Sequence, residues 1–132
     1  MAALDGVLVA DFTRVLAGPY ATMLLADLGA TVVKVERPGA GDDTRAWGPP
    51  FTADGQSTYF QAVNRNKMSI ALDLGGPGDV ALAQDLAAAC DVLVENYKPG
   101  GLRRFGLDYD TVAAQNPDVV YCSISGFGTG AG

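Results

Sequence analysis

The chain has 132 residues, of which 48% are apolar and 18% charged. This composition is typical of one globular domain and argues against a disordered segment. A net charge of −6 excludes a broad basic face for nucleic acid, and the absence of histidine excludes Ser/His and Cys/His catalytic arrangements.

In the first half of the chain, the apolar run Val7–Asp11 predicts a buried strand. Gly18–Pro19 then opens a helix with proline at its first position, and Gly29 ends that helix. The apolar side of this helix is expected on Tyr20, Leu24 and Leu28. Thr31–Glu36, rich in β-branched residues, is a second strand. The polar stretch Arg37–Gln56 is a long loop, of a kind that is usually functional or disordered.

In the second half of the chain, apolar runs predict three further strands, at Ser69–Leu72, Val92–Glu95 and Val119–Ser125. Helices are expected at Thr58–Val63, from Gly76–Pro77 onward with Asp79 in the first turn, and from an Asp108 cap to Gln115. Continuous apolar strands that alternate with helices favour an α/β fold. The fold class is therefore an open, mostly parallel, Rossmann-like sheet with helices on both faces.

Basic residues follow three of the predicted strands: Arg14, Arg37 and Lys98. The carboxyl ends of parallel strands lie at one edge, where open α/β sheets bind ligands. The pattern therefore predicts a locally positive edge suited to a multiply charged anion such as a nucleotide. The competing interpretation is that charged residues simply favour loops.

Three short segments resemble nucleotide-binding motifs. Ala17-Gly18-Pro19 joins a strand to a helix, and Glu36 mimics the ribose-binding acid of NAD enzymes, but the G-x-G-x-x-G pattern is missing and NAD binding is not expected. The alternative for Glu36 is a strand-end carboxylate paired with Arg37 or water. The alternating glycines of the tail, Gly126 to Gly132, lack the lysine of a P-loop and are interpreted as a terminal loop.

The segment Glu95–Gly100, followed by Arg103 and Arg104, combines an aromatic ring, an amide and cations near a strand end. It could stack a base and bind phosphates, or it could be an ordinary connecting turn.

The two cysteines and the N-terminus bear on localisation. Cys90 and Cys122 lie in apolar runs and are expected to be buried, reduced thiols of a cytoplasmic protein, and without histidine they form no zinc site. The first residues lack a basic signal-peptide region, and no apolar run approaches the roughly 20 residues of a membrane helix. We expect neither a membrane nor a metal partner.

Four stretches, in this order and spacing, resemble the family III CoA-transferases, of which formyl-CoA transferase is a familiar member. They span positions 4–45, 59–74, 91–110 and 116–128 and together cover nearly the whole chain: LDGVLVADFTRVLAGPYATMLLADLGATVVKVERPGAGDDTR, YFQAVNRNKMSIALDL, DVLVENYKPGGLRRFGLDYD and NPDVVYCSISGFG.

The resemblance implies a set of coenzyme A contacts: Leu16, Ala17, Arg37, Leu72, Asp73, Leu74, Gly75, Asn96, Tyr97, Lys98 and Arg104. Two of these positions depart from the family pattern. Leu16 stands where a polar residue is common, so a side-chain hydrogen bond to the ligand would be lost. Gly75 replaces a possible cation.

The same resemblance implies a transfer of CoA from an acyl-CoA thioester to a carboxylic acid, by way of an aspartate nucleophile. None of the fifteen acidic residues matches that nucleophile, so no catalytic residue is expected in positions 1–132, which form one CoA-binding segment. The family implies an interlocked homodimer, of which this segment would be the incomplete N-terminal part.

Two alternatives stay open. One is an α-methylacyl-CoA racemase, although the long Arg37–Gln56 loop is more typical of a transferase. The other is a non-catalytic CoA-binding or assembly module, which the missing nucleophile favours.

Overall fold

A computed structural model describes residues 1–130 of the chain. Its strands are β1 (Leu8–Phe12), β2 (Thr31–Glu36), β3 (Lys67–Ala71), β4 (Val92–Glu95) and β5 (Val120–Ser123). Its α-helices are α1 (Ala17–Asp27), α2 (Thr58–Asn64), α3 (Pro77–Ala89) and α4 (Tyr109–Gln115). Two short 3₁₀ turns lie at Asp43–Ala46 and Arg103–Phe105.

The strands form one sheet in the order β3-β2-β1-β4-β5, and every neighbouring pair is parallel. This is the strand order of one half-sheet and the start of the next in a doubly wound fold. The predicted open, parallel, Rossmann-like sheet is confirmed.

Helices cover both faces of the sheet, as predicted. Val9 faces α1 and packs with Ala26, whereas the next residue, Ala10, packs with Ala83 and Ala87 of α3. Successive side chains of a strand point to opposite faces, so a buried β1 supplies both cores. The central strands are therefore apolar throughout and place their carboxyl ends at one common edge.

The predicted apolar side of α1 is wrong. Tyr20, Leu24 and Leu28 are 43–51% exposed, and the helix instead buries smaller residues: Gly18, Pro19, Thr22, Met23 and Ala26. Small side chains allow the helix axis to lie close to the sheet, and a Cβ built on Gly18 would come within 2.3 Å of the Thr13 Cβ. The helix also begins earlier than predicted, so Pro19 is its third residue rather than its first.

Strand β3 begins at Lys67 rather than at Ser69 and ends at Ala71. The prediction left the polar Lys67 outside the strand because its partner, Asp11, is remote in sequence, on β1. Small shifts of one or two residues also apply to β1 and β5, whereas β2, β4 and the other helices start and end close to their predicted bounds.

Two further predictions need correction. Cys90 is buried as expected, but Cys122 is exposed, because it lies on the edge strand β5. The Arg37–Gln56 loop is not structureless, since it contains the Asp43–Ala46 turn and the isolated bridge between Phe51 and Ser57. Gly132 of the tail lies outside the described residues. No helix within residues 1–130 is long and apolar enough to cross a membrane.

Candidate functional site

A cavity of about 260 Å³ opens at the carboxyl-terminal edge of the sheet, next to the ends of β1, β2 and β4. Several of the residues singled out in the sequence line it: Arg37, Leu72, Asp73, Leu74, Gly75, Tyr97 and Arg104. We call it the first cavity. Its lining also includes Arg14, Lys34, Glu36 and Asp42.

A second, more open groove adjoins the first cavity, and Arg14 and Tyr97 belong to both. It is lined by the remaining residues of the predicted set: Leu16, Ala17, Asn96 and Lys98. Pro99 and Ile124 add apolar surface. The whole predicted set therefore lies along one continuous trough, with arginines in the first cavity and mainly apolar or small residues at the start of α1 in the second groove.

The loop Thr13–Val15 separates β1 from α1 and forms the rim between the two parts. Its backbone groups are bonded to side chains from other elements. The Thr13 N–H donates to Asp11 (2.9 Å), and the Arg14 N–H and carbonyl both pair with the Asn96 amide, at 2.9 and 2.8 Å. The Val15 N–H donates to both carboxylate oxygens of Asp42, each at 3.3 Å. Asn96 therefore orders this loop from within the trough.

A cluster of buried charged residues lies beneath the loop. The Lys67 ammonium donates to Asp11 at 3.0 Å, to the Pro19 carbonyl at 2.9 Å and to Asn64 at 3.0 Å, so all three of its N–H groups have acceptors. Burial lowers the pKa of Lys67, and the adjacent Asp11 carboxylate acts in the opposite direction. The Lys67 ammonium therefore connects β3 with β1, α1 and α2.

Glu36 at the end of β2 pairs with Arg45, and not with Arg37 as the sequence suggested. Its two oxygens accept from the Arg45 guanidinium at 2.6 and 2.7 Å, from Ser69 at 2.7 Å and from the Asp42 N–H at 2.7 Å. Burial alone would raise the pKa of Glu36, but these donors outweigh it and lower the pKa to about 2. Glu36 is thus a structural anchor of the 37–45 segment, with no oxygen left for a ribose.

The charge available to a ligand in the first cavity comes from three arginines. Arg14, Arg37 and Arg104 line the first cavity and are exposed. Asp43 pairs with Arg37 and lies 3.8 Å from Arg14, so it partly offsets their charge. Lys34 and Arg45 form ion pairs with Asp42 and Glu36, respectively, which neutralise their charge. The predicted positive edge is therefore formed by these three exposed guanidinium groups in the first cavity and by the exposed Lys98 in the second groove.

Tyr97 lies where the cavity and the groove meet. Its ring is half-buried against the core, and the Arg14 guanidinium carbon lies 5.8 Å from the ring centroid. Burial raises the pKa of the Tyr97 hydroxyl, so it stays a neutral hydrogen-bonding group. Lys98 beside it is exposed and forms the outer lip of the groove.

Sequence reasoning missed the role of Asp42 and Lys34. Both are fully buried, at 0% and 1% exposed, and they form an ion pair of 2.9 Å. Lys34 gave one signal, since it is a charged residue within an otherwise apolar strand. A charge in that position needs a buried partner, and the sequence alone did not identify it.

Comparison with known proteins identifies the family of the chain. The model of CoA-transferase family III matches residues 4–132. The chain is 59% identical to mouse succinyl-CoA:glutarate CoA-transferase over 97% of its length, and 52% identical to succinate–glutarate CoA-transferase of Agrobacterium fabrum over 95%. It covers only 29% and 32% of those two proteins.

Solved structures show the same fold. A CAIB/BAIF family protein from Brucella suis superposes with a TM-score of 0.94 at 48% identity, over 98% of this chain and 35% of that one. A hypothetical protein from Mycobacterium tuberculosis superposes with a TM-score of 0.90 at 36% identity, over 100% of this chain and 35% of that one. With a family match over nearly its entire length and relatives at more than half identity, the chain belongs to CoA-transferase family III.

Proposed function

We propose that this chain is the CoA-binding segment of an enzyme that moves CoA from an acyl-CoA thioester to a carboxylic acid. The observation that carries the proposal is the trough. Residues from four separate parts of the sequence, around positions 16, 37, 73 and 97, line one continuous surface at the ligand-binding edge of the sheet.

The two parts of the trough suit the two ends of coenzyme A. Arg37 and Arg104 are exposed guanidinium groups that can form charge-assisted hydrogen bonds with phosphate oxygens. The 72–75 turn and Tyr97 supply partly apolar surface beside them for a base. The second groove, with Leu16, Ala17 and Pro99, offers a less charged path for the thiol-bearing arm.

The chemical step needs a nucleophile that we place outside positions 1–132, in agreement with the family resemblance. The carboxylates in and beside the trough already have other partners. Asp42 is buried in an ion pair, Glu36 is saturated with donors, and Asp43 is paired with Arg37. Asp73 accepts the Gly75 N–H at 2.9 Å within the 72–75 turn. The segment's own contribution is to bind and orient the CoA moiety, which places the thioester for attack.

The substrates that we propose follow the names of the relatives. Proteins 50–59% identical to this chain are named for succinyl-CoA with glutarate or mesaconate, and for acetyl-CoA with oxalate. Each acceptor is a dicarboxylate. We therefore propose a short acyl-CoA as donor and a dicarboxylic acid as acceptor.

Binding of CoA to the 132-residue chain, measured by isothermal titration calorimetry, is the direct test. Arg37→Ala and Arg104→Ala should each weaken binding about ten- to a hundredfold, because a charge-assisted hydrogen bond contributes about 1.5–3 kcal/mol. Arg65→Ala is the matched control, since Arg65 pairs with Asp27 away from the trough. Equal affinities for all three variants would contradict the assignment of the trough.

An activity assay separates the alternatives. In a longer protein that includes this segment, a transferase converts an acyl-CoA and glutarate into a new CoA thioester and a free acid. A racemase would instead exchange the proton next to the thioester carbonyl without any acceptor. CoA binding with neither activity would favour a binding or assembly module.

We further propose a cytoplasmic homodimer. Supporting the dimer, the outer side of α1 exposes Leu16, Tyr20, Leu24 and Leu28 at four-residue intervals, and Met68 and Ile70 of β3 are also exposed. Such apolar surface is typical of an interface. Light scattering on the purified chain tests the dimer, and a stable monomer would contradict it. Cell fractionation tests the location.

A further inference from the structure

The loop Thr13–Val15 has a backbone conformation that it would not hold by itself. Val15 has a φ of 73°, in the left-handed region that β-branched residues rarely adopt. It directly precedes Leu16 and Ala17, where the second groove begins. A residue in such a conformation persists only where its surroundings determine it.

One buried ion pair bonds to both ends of this loop. The Lys34 ammonium donates to the Thr13 carbonyl at 2.9 Å and to the Asp42 carboxylate at 2.9 Å. Asp42 in turn accepts the Val15 N–H on both oxygens. The pair therefore supplies a donor at the start of the loop and an acceptor at its end.

The pair is itself firmly attached to the fold. Lys34 lies in the middle of β2, in register with Asp11 of β1 and Ser69 of β3. The Asp42 N–H donates to Glu36, and its carboxylate accepts from the N–H and the hydroxyl of Thr44 at 3.0 and 2.9 Å. Because the pair is fixed to the sheet, it holds the loop at a defined position relative to the strands.

We propose that the Lys34–Asp42 ion pair positions the Thr13–Val15 loop and thereby sets the affinity of the trough for CoA. This inference rests on the proposed function. Both residues lie in the wall of the first cavity but are at most 1% exposed, so they act on the ligand through the loop and are positioning residues. Buried ion pairs add little net stability over apolar replacements, whereas they do specify one conformation in some proteins. A stabilising role and a positioning role of the pair can therefore be distinguished by measuring stability and CoA affinity separately.

The test uses three variants of the chain: Lys34→Met, Asp42→Leu, which removes the acceptor of the Val15 N–H, and the double variant. Each single variant leaves an unpaired buried charge and should lower the melting temperature. The double variant removes both charges and should recover much of that loss. Its Kd for CoA should nevertheless stay about tenfold above that of the wild type, as expected if the loop is binding-competent in roughly a tenth of the molecules.

Hydrogen exchange at the Arg14 and Val15 amides reports the loop without any ligand. Exchange there should be faster in all three variants, with the β-strand amides of the double variant unchanged. Val112→Ala is the control, because it truncates a buried side chain of α4 outside the trough. It should lower stability without changing the CoA affinity of the folded chain or exchange at these amides.

Several outcomes would overturn the proposal. A double variant that binds CoA like the wild type, or whose loop amides exchange at the wild-type rate, shows that the pair does not position the loop. If the wild-type chain binds no CoA, the proposed function fails, whereas exchange at Arg14 and Val15 still decides whether the pair orders the loop. Should a single variant fail to fold, the charge-free double variant provides the test.

Discussion

The two sides of the trough are held in place by different interactions. On one side, the Thr13–Val15 loop is bonded to Asp11, Lys34 and Asn96, residues that come from three different strands or their ends. On the other side, the turn from Lys98 to Arg104 relies on local bonds, such as Gly101 N–H to the Lys98 carbonyl at 2.8 Å. We call these the anchored side and the local side.

The two sides of the trough therefore contribute differently to ligand binding. The anchored side supplies shape, because its polar groups are buried and already paired. The local side mainly supplies charge, because Lys98 and Arg104 are exposed and add to the charge of Arg14 on the rim. Single substitutions that break a buried bond on the anchored side should therefore lower stability as well as affinity, whereas substitutions on the local side should act mainly on affinity.

The largest expected effect is that of Asp11→Ala on the anchored side. Asp11 is fully buried and is the carboxylate partner of Lys67, so its loss leaves a buried ammonium without a counterion. Breaking a buried pair in this way costs about 3–5 kcal/mol. Urea unfolding measures the loss. Asp27→Ala removes the partner of the exposed Arg65 and should have a much smaller effect. Similar losses of unfolding free energy in both variants would show that the buried ion pair stabilises the fold no more than the exposed one does.

The next effect is a dependence of stability on pH through Glu36. Its pKa is about 2 in the folded chain and 4.5 as the ordinary value, so its contribution is complete above pH 4.5 and is lost as the pH falls towards 2. The shift corresponds to about 3 kcal/mol. Urea unfolding at several pH values should show this loss in the wild type. Glu36→Gln should flatten the curve in that window, and an unchanged slope would contradict the assignment.

A smaller effect is expected for Gly18→Ala, where α1 meets the loop. The added Cβ would lie 2.3 Å from the Thr13 Cβ, so helix or loop must shift, at a cost of about 1–3 kcal/mol. Gly78→Ala in α3 is a matched control, since nothing lies within 4 Å of its Cβ position. It should stabilise the helix by about 0.5–1 kcal/mol. Thermal unfolding measures the change in stability of both variants. A change of the same sign in both would contradict the close approach at Gly18.

The smallest change in stability is expected for Lys98→Ala on the local side. The side chain is exposed, so the free energy of unfolding should change by less than about 0.5 kcal/mol. CoA affinity should still fall, because the substitution removes a cation from the groove lip. A variant that loses stability but keeps its affinity would reverse the division between the two sides.

Sequence reasoning predicted the sheet well because β1, β2 and β4 are short apolar runs with clear ends. It also placed Arg14, Arg37 and Lys98 at one edge, because the carboxyl ends of parallel strands meet there. The predicted apolar side of α1 is wrong because the helical pattern assigns large residues to the core, whereas Gly18 and Ala26 permit the close packing that buries the helix.

The buried charges could not be predicted from local patterns. Lys67 and Asp11 are separated by 56 positions, and Lys34 and Thr13 by 21. Read along the chain, such residues are expected at the surface. Only the three-dimensional arrangement shows that each has a buried partner, and that the Glu36 carboxylate belongs to Arg45 rather than to its neighbour Arg37.

The left-handed valine has a kinetic consequence. Glycine would adopt the φ of Val15 without strain, but it would also give the loop many other conformations. A valine bonded through its N–H to Asp42 leaves the loop with little conformational entropy to lose when a ligand arrives. Association of a ligand with the second groove should then be limited by encounter and desolvation rather than by slow ordering of the loop.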